Sequence, residues 1–384
     1  MSIIMNEYLD KNKLKKTVEF SLKKIDFAKK TFKTTFPDHA SVNNVYAETE
    51  NVKGWNQGFW TGMLWIAYEL THNEEYRKAA EMQIPTYTKR VVEELTVDHH
   101  DMGFLYTPSC VAAYKLTGNE EARKAAMMAA DFLMVRYREK GEFIQAWGKL
   151  DAPDNYRLII DCLMNIPLLY WASEVSGDKK YDETALKHFN TTAAHIMREN
   201  GSTYHTFYFD PETGKPLKGV TAQGASDDSC WARGQAWGIY GMMLTYKYHK
   251  SDAIMEQFKK ITDYYISLLP RDYVPYWDMT FDDGSDEPRD SSAAAIAVCG
   301  ILEAVKYMQG EEKEKYLAYA NKMMASLIDD YLCWGVDECN GLLLHATYSV
   351  PHNSGVDECN IWGDYFFMEA LIRFVTENKW ELYW

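Results

Sequence analysis

Four ionisable side chains follow one another at Asp98-His99-His100-Asp101, immediately before the apolar run Met102-Gly103-Phe104-Leu105. Carboxylate beside imidazole can move protons near neutrality or ligate a metal. Asp at a helix start also satisfies free backbone N–H groups, and that capping role is the expectation for Asp98. No HExxH pair or matching His/Cys/carboxylate set stands elsewhere at ligand spacing, so a metal is not expected. A second acid, Asp161, follows the aliphatic run Leu158-Ile159-Ile160 and opens another apolar stretch. Burial there would raise its pKa, because the charged form loses hydration, and a raised pKa suits a general acid. A helix N-cap explains the same position equally well, and the residues alone leave both readings open.

A third block, Trp231-Ala232-Arg233-Gly234-Gln235-Ala236-Trp237, offers a fixed cation between two indoles. The planar guanidinium fork can bind both oxygens of a carboxylate, which makes Arg233 a candidate anchor for an acidic sugar. A salt bridge to Asp227 or Asp228 is the alternative. Phe143-Ile144-Gln145-Ala146-Trp147-Gly148 sets an indole near a glycine turn, and Tyr204-His205-Thr206-Phe207-Tyr208-Phe209 places one histidine among rings. A lone histidine in such company is ordinarily a packed core residue.

Aromatic residues make up 14% of the chain, with 12 Trp and 27 Tyr, which suits a cleft walled by rings with polar handles. Most of these rings are expected to fill the interior. A net charge of −15 argues against nucleic acid and against an acidic membrane surface, since both reward a basic face. An anionic substrate would need local donors that override that field. Seven cysteines, an odd number with no CxxC pair, read as reduced thiols. The opening MSIIMNEYLDKNKLKK has too short an apolar stretch for a secretory signal, and no segment reaches the length of a membrane span. A cytoplasmic protein is expected. The hexapeptide GVDECN occurs at 335–340 and again at 355–360, flanking His345 and His352. The gaps in that Cys-His-His-Cys order match no common zinc site, so duplicated short loops are the expectation.

The elements that must carry these residues are helices. Leu14, Val18, Leu22 and Ile25 mark one face of an opening, surface-facing helix. A unit of apolar helix, short polar turn and second helix then recurs at 58–80, 103–126, 161–185, 234–258, 291–316 and 361–380. The turns THNEEY, TGNEEA and SGDKKY put Asn or Asp where an N-cap belongs. Six such units without strand-rich blocks predict an all-α (α/α)6 barrel, a single domain over 1–384 whose loops form a pocket at one end. The open alternative is a solenoid; the absence of a polar capping repeat after the sixth copy favours closure.

Taken together, the ordered blocks GFWxGxLW at 58–65, DHHDxGFL at 98–105, IQAWG at 144–148, IIDCLxNxPLL at 159–169, SxYHTFYFDPExG at 202–214, WxRGQAWGIYG at 231–241, RDSSAxAI at 289–296 and IWGDYxxxEAL at 361–371 resemble the unsaturated glucuronyl hydrolases, glycoside hydrolase family 88. The resemblance implies the same (α/α)6 barrel, with neither metal nor organic cofactor. It implies catalytic aspartates at Asp101 and Asp161, with Asp161 as the central acid/base. Sugar-contacting positions fall on Trp55, His100, Trp147, His205, Gln223, Arg233 and Trp237.

The implied reaction hydrates the C4=C5 double bond of a 4,5-unsaturated uronic acid at the non-reducing end of a lyase product, so that the glycosidic bond breaks as a consequence. The implied partners are unsaturated glycosaminoglycan disaccharides. Members that accept sulfated disaccharides use two serines and a lysine in the loop before the last repeat. Ser349 and Ser354 are present here, Ser354 being the candidate contact, but no lysine lies between His345 and Trp362. Hyaluronan and unsulfated chondroitin products therefore stand level with sulfated ones. The rival reading is an unsaturated rhamnogalacturonyl hydrolase acting on pectin fragments; an idle sugar-binding barrel and an epimerase on the same scaffold are more distant. Oligomeric state is not legible.

Overall fold

The computed structural model describes residues 8–384. The start of the segment read for a secretory signal lies outside them. The chain is mostly helical: α1 (Lys11–Ala28), α2 (Gln57–Thr71), α3 (Glu74–Glu81), α4 (Ile84–Val92), α5 (Met102–Tyr106), α6 (Ala112–Thr117), α7 (Glu120–Val135), α8 (Cys162–Asn165), α9 (Pro167–Ser176), α10 (Lys179–Ile196), α11 (Ala232–Tyr248), α12 (Asp252–Ser267), α13 (Ser291–Ala304), α14 (Gly310–Ser326) and α15 (Ile361–Val375). Among the described residues, no helix is long and apolar enough to cross a membrane.

Two kinds of helix alternate. Helices α2, α11, α13 and α15 are buried over most of their length. Helices α1, α7, α10, α12 and α14 bury one stripe and expose lysines and glutamates on the other. That is the difference between a helix surrounded by protein and one facing water. The buried helices touch in series, α2 to α5, α5 to α8, α8 to α11, α11 to α13, α13 to α15, and α15 back to α2. The expected caps are in place at three turns: Asn73 accepts from Glu75 N at 3.0 Å, Asn119 from Ala122 N at 2.9 Å and Asp178 from Lys180 N at 3.0 Å.

Three features depart from the sequence expectation. The sixth unit holds one helix, α15, and packs against α1 from the opposite end of the chain, so 361–380 is no helix hairpin. The second and third buried helices are interrupted, by a π-helical turn at Thr107–Val111 and by a break before Pro167. Pro108 and Pro167 explain both, because proline has no N–H to donate and crowds the preceding turn. Third, the loops carry short strands: β1 (Phe36–Pro37), β2 (Glu48–Thr49), β3 (Tyr137–Arg138), β4 (Phe143–Ile144), β5 (Arg157–Ile159), β6 (Thr206–Phe209) and β7 (Pro216–Val220). Strands β5, β6 and β7 form an antiparallel sheet pairing Arg157 with Tyr208 and Ile159 with Thr206. This pairing joins two loops 47 to 51 residues apart in sequence and brings Asp161 and His205 to one place.

Candidate active site

A cavity of about 510 Å³ is lined by Trp55, His100, Asp101, Trp147, Asp161, His205, Gln223, Arg233, Trp237 and Ser354, which are all ten of the candidate residues. His99, Trp231, Tyr348 and His352 also line it and were not among the candidates, and Ser349, the serine named beside Ser354, lines it too. His99 and Trp231 sat inside quoted motifs, so their neighbours were the available signal.

Asp161 occupies the N-cap position of α8, yet its side chain makes no capping hydrogen bond. Its carboxyl faces the cavity and is 21% exposed. Burial, reinforced by the nearby charge of Asp101, raises its pKa well above the ordinary carboxylate range. Asp101 behaves oppositely. Burial works against its charge, but His100, His99 and Asn165 outweigh burial and hold its pKa below the usual value. Asp101 also holds the N-cap position of α5, again without a side-chain cap. Asp98 is therefore not the cap expected there: its carbonyl accepts from Arg136 Nη1 at 2.5 Å, which fixes the loop from the side.

His100 lies between the two acids, its Nε2 3.4 Å from Asp101 Oδ1 and 3.3 Å from Asp161 Oδ1. Burial lowers its pKa to about 4, so the ring is neutral at physiological pH. One ligand atom from each of His100, Asp101 and Asp161 lies within 4.8 Å of the others. Among the described residues no other His/Cys/Asp/Glu group is so assembled. The duplicated GVDECN loops do bring Cys339 Sγ and Cys359 Sγ to 3.8 Å. Their histidines are engaged elsewhere, His345 with Asp357 and His352 with Ser349, each at 2.7 Å.

Asn165, one helical turn beyond Asp161, ties the acids together. Its Nδ2 donates to the Asp161 carbonyl at 3.1 Å and to Asp101 Oδ1 at 3.5 Å, while its Oδ1 accepts from Phe104 N at 2.8 Å. The two short helices can approach this closely because Gly103 has no side chain. A Cβ there would lie 2.4 Å from Asn165 Cα.

Arg233 is fully buried, and its partner is Asp290 at 2.5 Å rather than Asp227 or Asp228. Its Nη1 also donates to Thr347 O at 2.5 Å, and its Nη2 to Gln223 Oε1 at 2.9 Å and Tyr348 O at 2.6 Å. The guanidinium lies against Trp231 and Trp362, at 4.5 and 5.2 Å from their ring centres; Trp237 is not the second indole. Trp237 is itself only 1% exposed and packs on Phe104 at 5.1 Å, forming floor rather than a free ring face. Trp147 is the opposite case, 47% exposed, with Arg157 3.9 Å from its ring centre. His205 is buried, its Nδ1 within 2.6 Å of Thr206 Oγ1 and within 3.3 Å of Ala222 N; burial lowers its pKa to about 3.

The arrangement is an acid whose pKa is raised beside an acid whose pKa is lowered, under a cavity walled by indoles with one cation at its edge. The sequence profile described as Glycosyl Hydrolase Family 88 matches residues 24–373. The chain belongs to glycosyl hydrolase family 88. Within that family it is 48% identical over 378 residues to the unsaturated chondroitin disaccharide hydrolase of Streptococcus pneumoniae, covering 98% of this chain and 95% of the relative. The unsaturated glucuronyl hydrolase of a Bacillus species is 40% identical, covering 90% of this chain and 92% of its own. The crystal structure of the Streptococcus agalactiae unsaturated glucuronyl hydrolase superposes with a TM-score of 0.95 at 48% identity, over 98% of this chain and 94% of that one. A single-site variant of the Streptococcus agalactiae enzyme, solved in complex with dGlcA-GalNAc6S, matches with a TM-score of 0.87 at 45% identity, over the same shares of the two chains.

Proposed function

We propose that this family 88 chain is an unsaturated glucuronyl hydrolase that removes the 4,5-unsaturated uronic acid from lyase-generated glycosaminoglycan disaccharides, and that it does so as one (α/α)6 barrel domain spanning 1–384. The observation that carries the chemistry is the pair of carboxyl groups gathered on one imidazole nitrogen, with the pKa of Asp161 pushed up by burial and that of Asp101 held down by its neighbours. Acids that act directly across a glycosidic bond flank it from opposite sides. Here both acids meet the same atom of His100, which suits proton delivery to one face of a double bond.

In this reading Asp161 protonates C4, and positive charge develops at C5 and the ring oxygen. The resulting Asp161 carboxylate then takes a proton from the water that attacks C5. The hemiketal opens, the ring loses its hold on the aglycone, and an unsaturated-derived keto acid and the second sugar leave. Asp161 ends each cycle protonated again, so no external acid is consumed. Asp101 and His205 orient the sugar hydroxyls, Trp55 and Trp147 give it apolar walls, and Ser354 meets the second sugar.

Arg233 contributes charge more than an empty fork, since its four terminal N–H groups already have acceptors. The substrate carboxylate takes the place of Gln223 Oε1 on Nη2, and the freed Gln223 amide turns its N–H toward the sugar. Seven free, buried cysteines suit the reducing cytoplasm in which we place the protein.

The test is incubation with unsaturated chondroitin, hyaluronan and rhamnogalacturonan disaccharides, following the ultraviolet absorbance of the conjugated double bond. Bleaching with the first two and not the third is expected. Bleaching of the third alone moves the activity to pectin fragments, and persistence with all three removes the enzymatic reading.

A further inference from the structure

Trp147 is the most exposed of the indoles that line the cavity, and a ring at such an edge serves as a wall only if something holds it still. We propose that Arg157, which does not itself line the cavity, is the positioning residue that does so: its guanidinium underlies one face of the Trp147 indole and leaves the opposite face fixed as a flat surface for the sugar. The proposal rests on the disaccharide-binding reading above.

The guanidinium carbon lies 3.9 Å from the centre of the indole, the separation of two flat groups in contact. Arg157 is buried and well anchored. Its Nη1 donates to Asp154 O at 2.9 Å, to Asn155 Oδ1 at 3.2 Å and to the Tyr208 hydroxyl at 3.2 Å. The pairing of β5 with β6 sets Arg157 opposite Tyr208, whose ring centre lies 5.5 Å from the guanidinium. All three acceptors are neutral, so the whole charge remains to face the electron-rich surface of the indole. With one face covered by this cation, the exposure of Trp147 belongs to the other face and the ring edge.

The backbone around Trp147 is clamped separately. Arg136 Nε donates to Gln145 O at 2.8 Å and its Nη2 to Gly148 O at 2.9 Å. Ala146 O accepts from His100 N at 2.7 Å, and Ala146 N donates to Arg157 O at 3.1 Å. These bonds fix where the side chain starts and leave its own torsions unset. The other cavity indoles are wedged by rings, Trp55 on Trp362 at 4.8 Å and Trp237 on Phe104 at 5.1 Å. At Trp147 a cation takes that place. A ring that visits other rotamers weakens apparent affinity by the fraction of time it spends out of position.

The experiment compares Arg157→Ala, Arg157→Lys, Trp147→Ala and the Arg157→Ala/Trp147→Ala double variant. Affinity for unsaturated chondroitin disaccharide is measured by calorimetry with Asp161→Asn added to each, and kcat and KM are measured without it. Arg157→Ala is expected to weaken binding and raise KM about 10-fold, the size of a partly desolvated cation–π contact, with kcat much less affected. Arg157→Lys keeps a cation without the planar stack; it should recover part of the loss, and it carries the test if Arg157→Ala does not fold. In the Trp147→Ala background the further loss of Arg157 should change affinity by less than about 2-fold, because a residue that acts through the ring has nothing left to act on. The same 10-fold loss in that background would overturn the proposal in favour of Arg157 acting on the substrate as a charge, and wild-type affinity in Arg157→Ala would overturn it outright. Fluorine NMR of fluorotryptophan-labelled protein, with Trp147→Phe to assign the signal, reads the ring without any sugar. Arg157→Ala should narrow the Trp147 resonance and move it toward that of free fluorotryptophan. An unmoved resonance refutes the positioning role even if no disaccharide is bleached. The expected movement in a protein that binds none of the disaccharides supports the positioning role and refutes only the functional reading.

Discussion

Replacing Gly103 by alanine tests the packing that holds the acids together. In an ordinary helix interior this change stabilises by roughly 0.5–1 kcal/mol, because glycine loses more backbone freedom on folding. At Gly103 the added Cβ would meet Asn165 Cα at 2.4 Å and Asn165 O at 2.5 Å, both backbone atoms that cannot rotate away. Carbon atoms settle at about 3.5–4.0 Å, so α5 and α8 must part by about 1 Å. Overpacking of this kind costs about 1–3 kcal/mol, which outweighs the propensity gain and leaves a net loss of about 0.5–2 kcal/mol. The functional effect should be larger. Asn165 holds the Asp161 carbonyl and an Asp101 oxygen, and a displacement of about 1 Å at a reacting centre costs roughly 100-fold in rate. Urea unfolding and initial rates of double-bond loss measure the two effects separately. Gly118→Ala serves as the control: at φ +71° it is strained, but nothing lies within 4 Å of its Cβ, so stability falls without loss of rate. A Gly103→Ala enzyme with wild-type kcat would refute the account of how the acids are positioned.

Other consequences follow for stability. Asp161 has a folded-state pKa raised above its unfolded value, so the folded protein loses stability as pH rises from the ordinary carboxylate range through that raised pKa. Asp161→Asn removes this loss: melting temperature should rise at pH 7 and match wild type near pH 3.5, while turnover disappears. Equal shifts at both pH values would contradict the raised pKa. Far from the cavity, the fully buried Arg373 meets Glu303 at 3.0 Å, Glu369 at 3.0 Å and Tyr240 OH at 2.6 Å. Arg373→Met strands buried carboxylates and should cost about 3–5 kcal/mol in urea unfolding. A loss under about 1 kcal/mol would show that these acids protonate without penalty.

Much of this molecule is readable in its residues because the signals are local. Asn73, Asn119 and Asp178 cap the helices expected of them, and the apolar runs of α2, α11 and α13 are buried as their patterns require. The pairing of α1 with α15 is not readable, since nothing in either helix names a partner more than 300 residues away. The same limit applies to Arg233. Its acidic partner Asp290 is 57 residues on, and two of its acceptors are the carbonyls of Thr347 and Tyr348, groups every residue carries. Asp227 and Asp228 were nearer in sequence and wrong in space. At Asp161 the residues left capping and catalysis level; the geometry decides that the side chain does not cap, and burial beside Asp101 gives it the properties of an acid. The breaks at Pro108 and Pro167 carried a local signal and could have been read from proline alone.

The central claim is that the double bond is hydrated first and the glycosidic bond breaks as a result. Rapid-quench measurement on an unsaturated chondroitin disaccharide, following double-bond absorbance and free second sugar in the same samples, tests it directly. The account predicts that absorbance is lost no later than the second sugar appears, and that Asp161→Asn abolishes both. Free second sugar accumulating while the absorbance persists would contradict it.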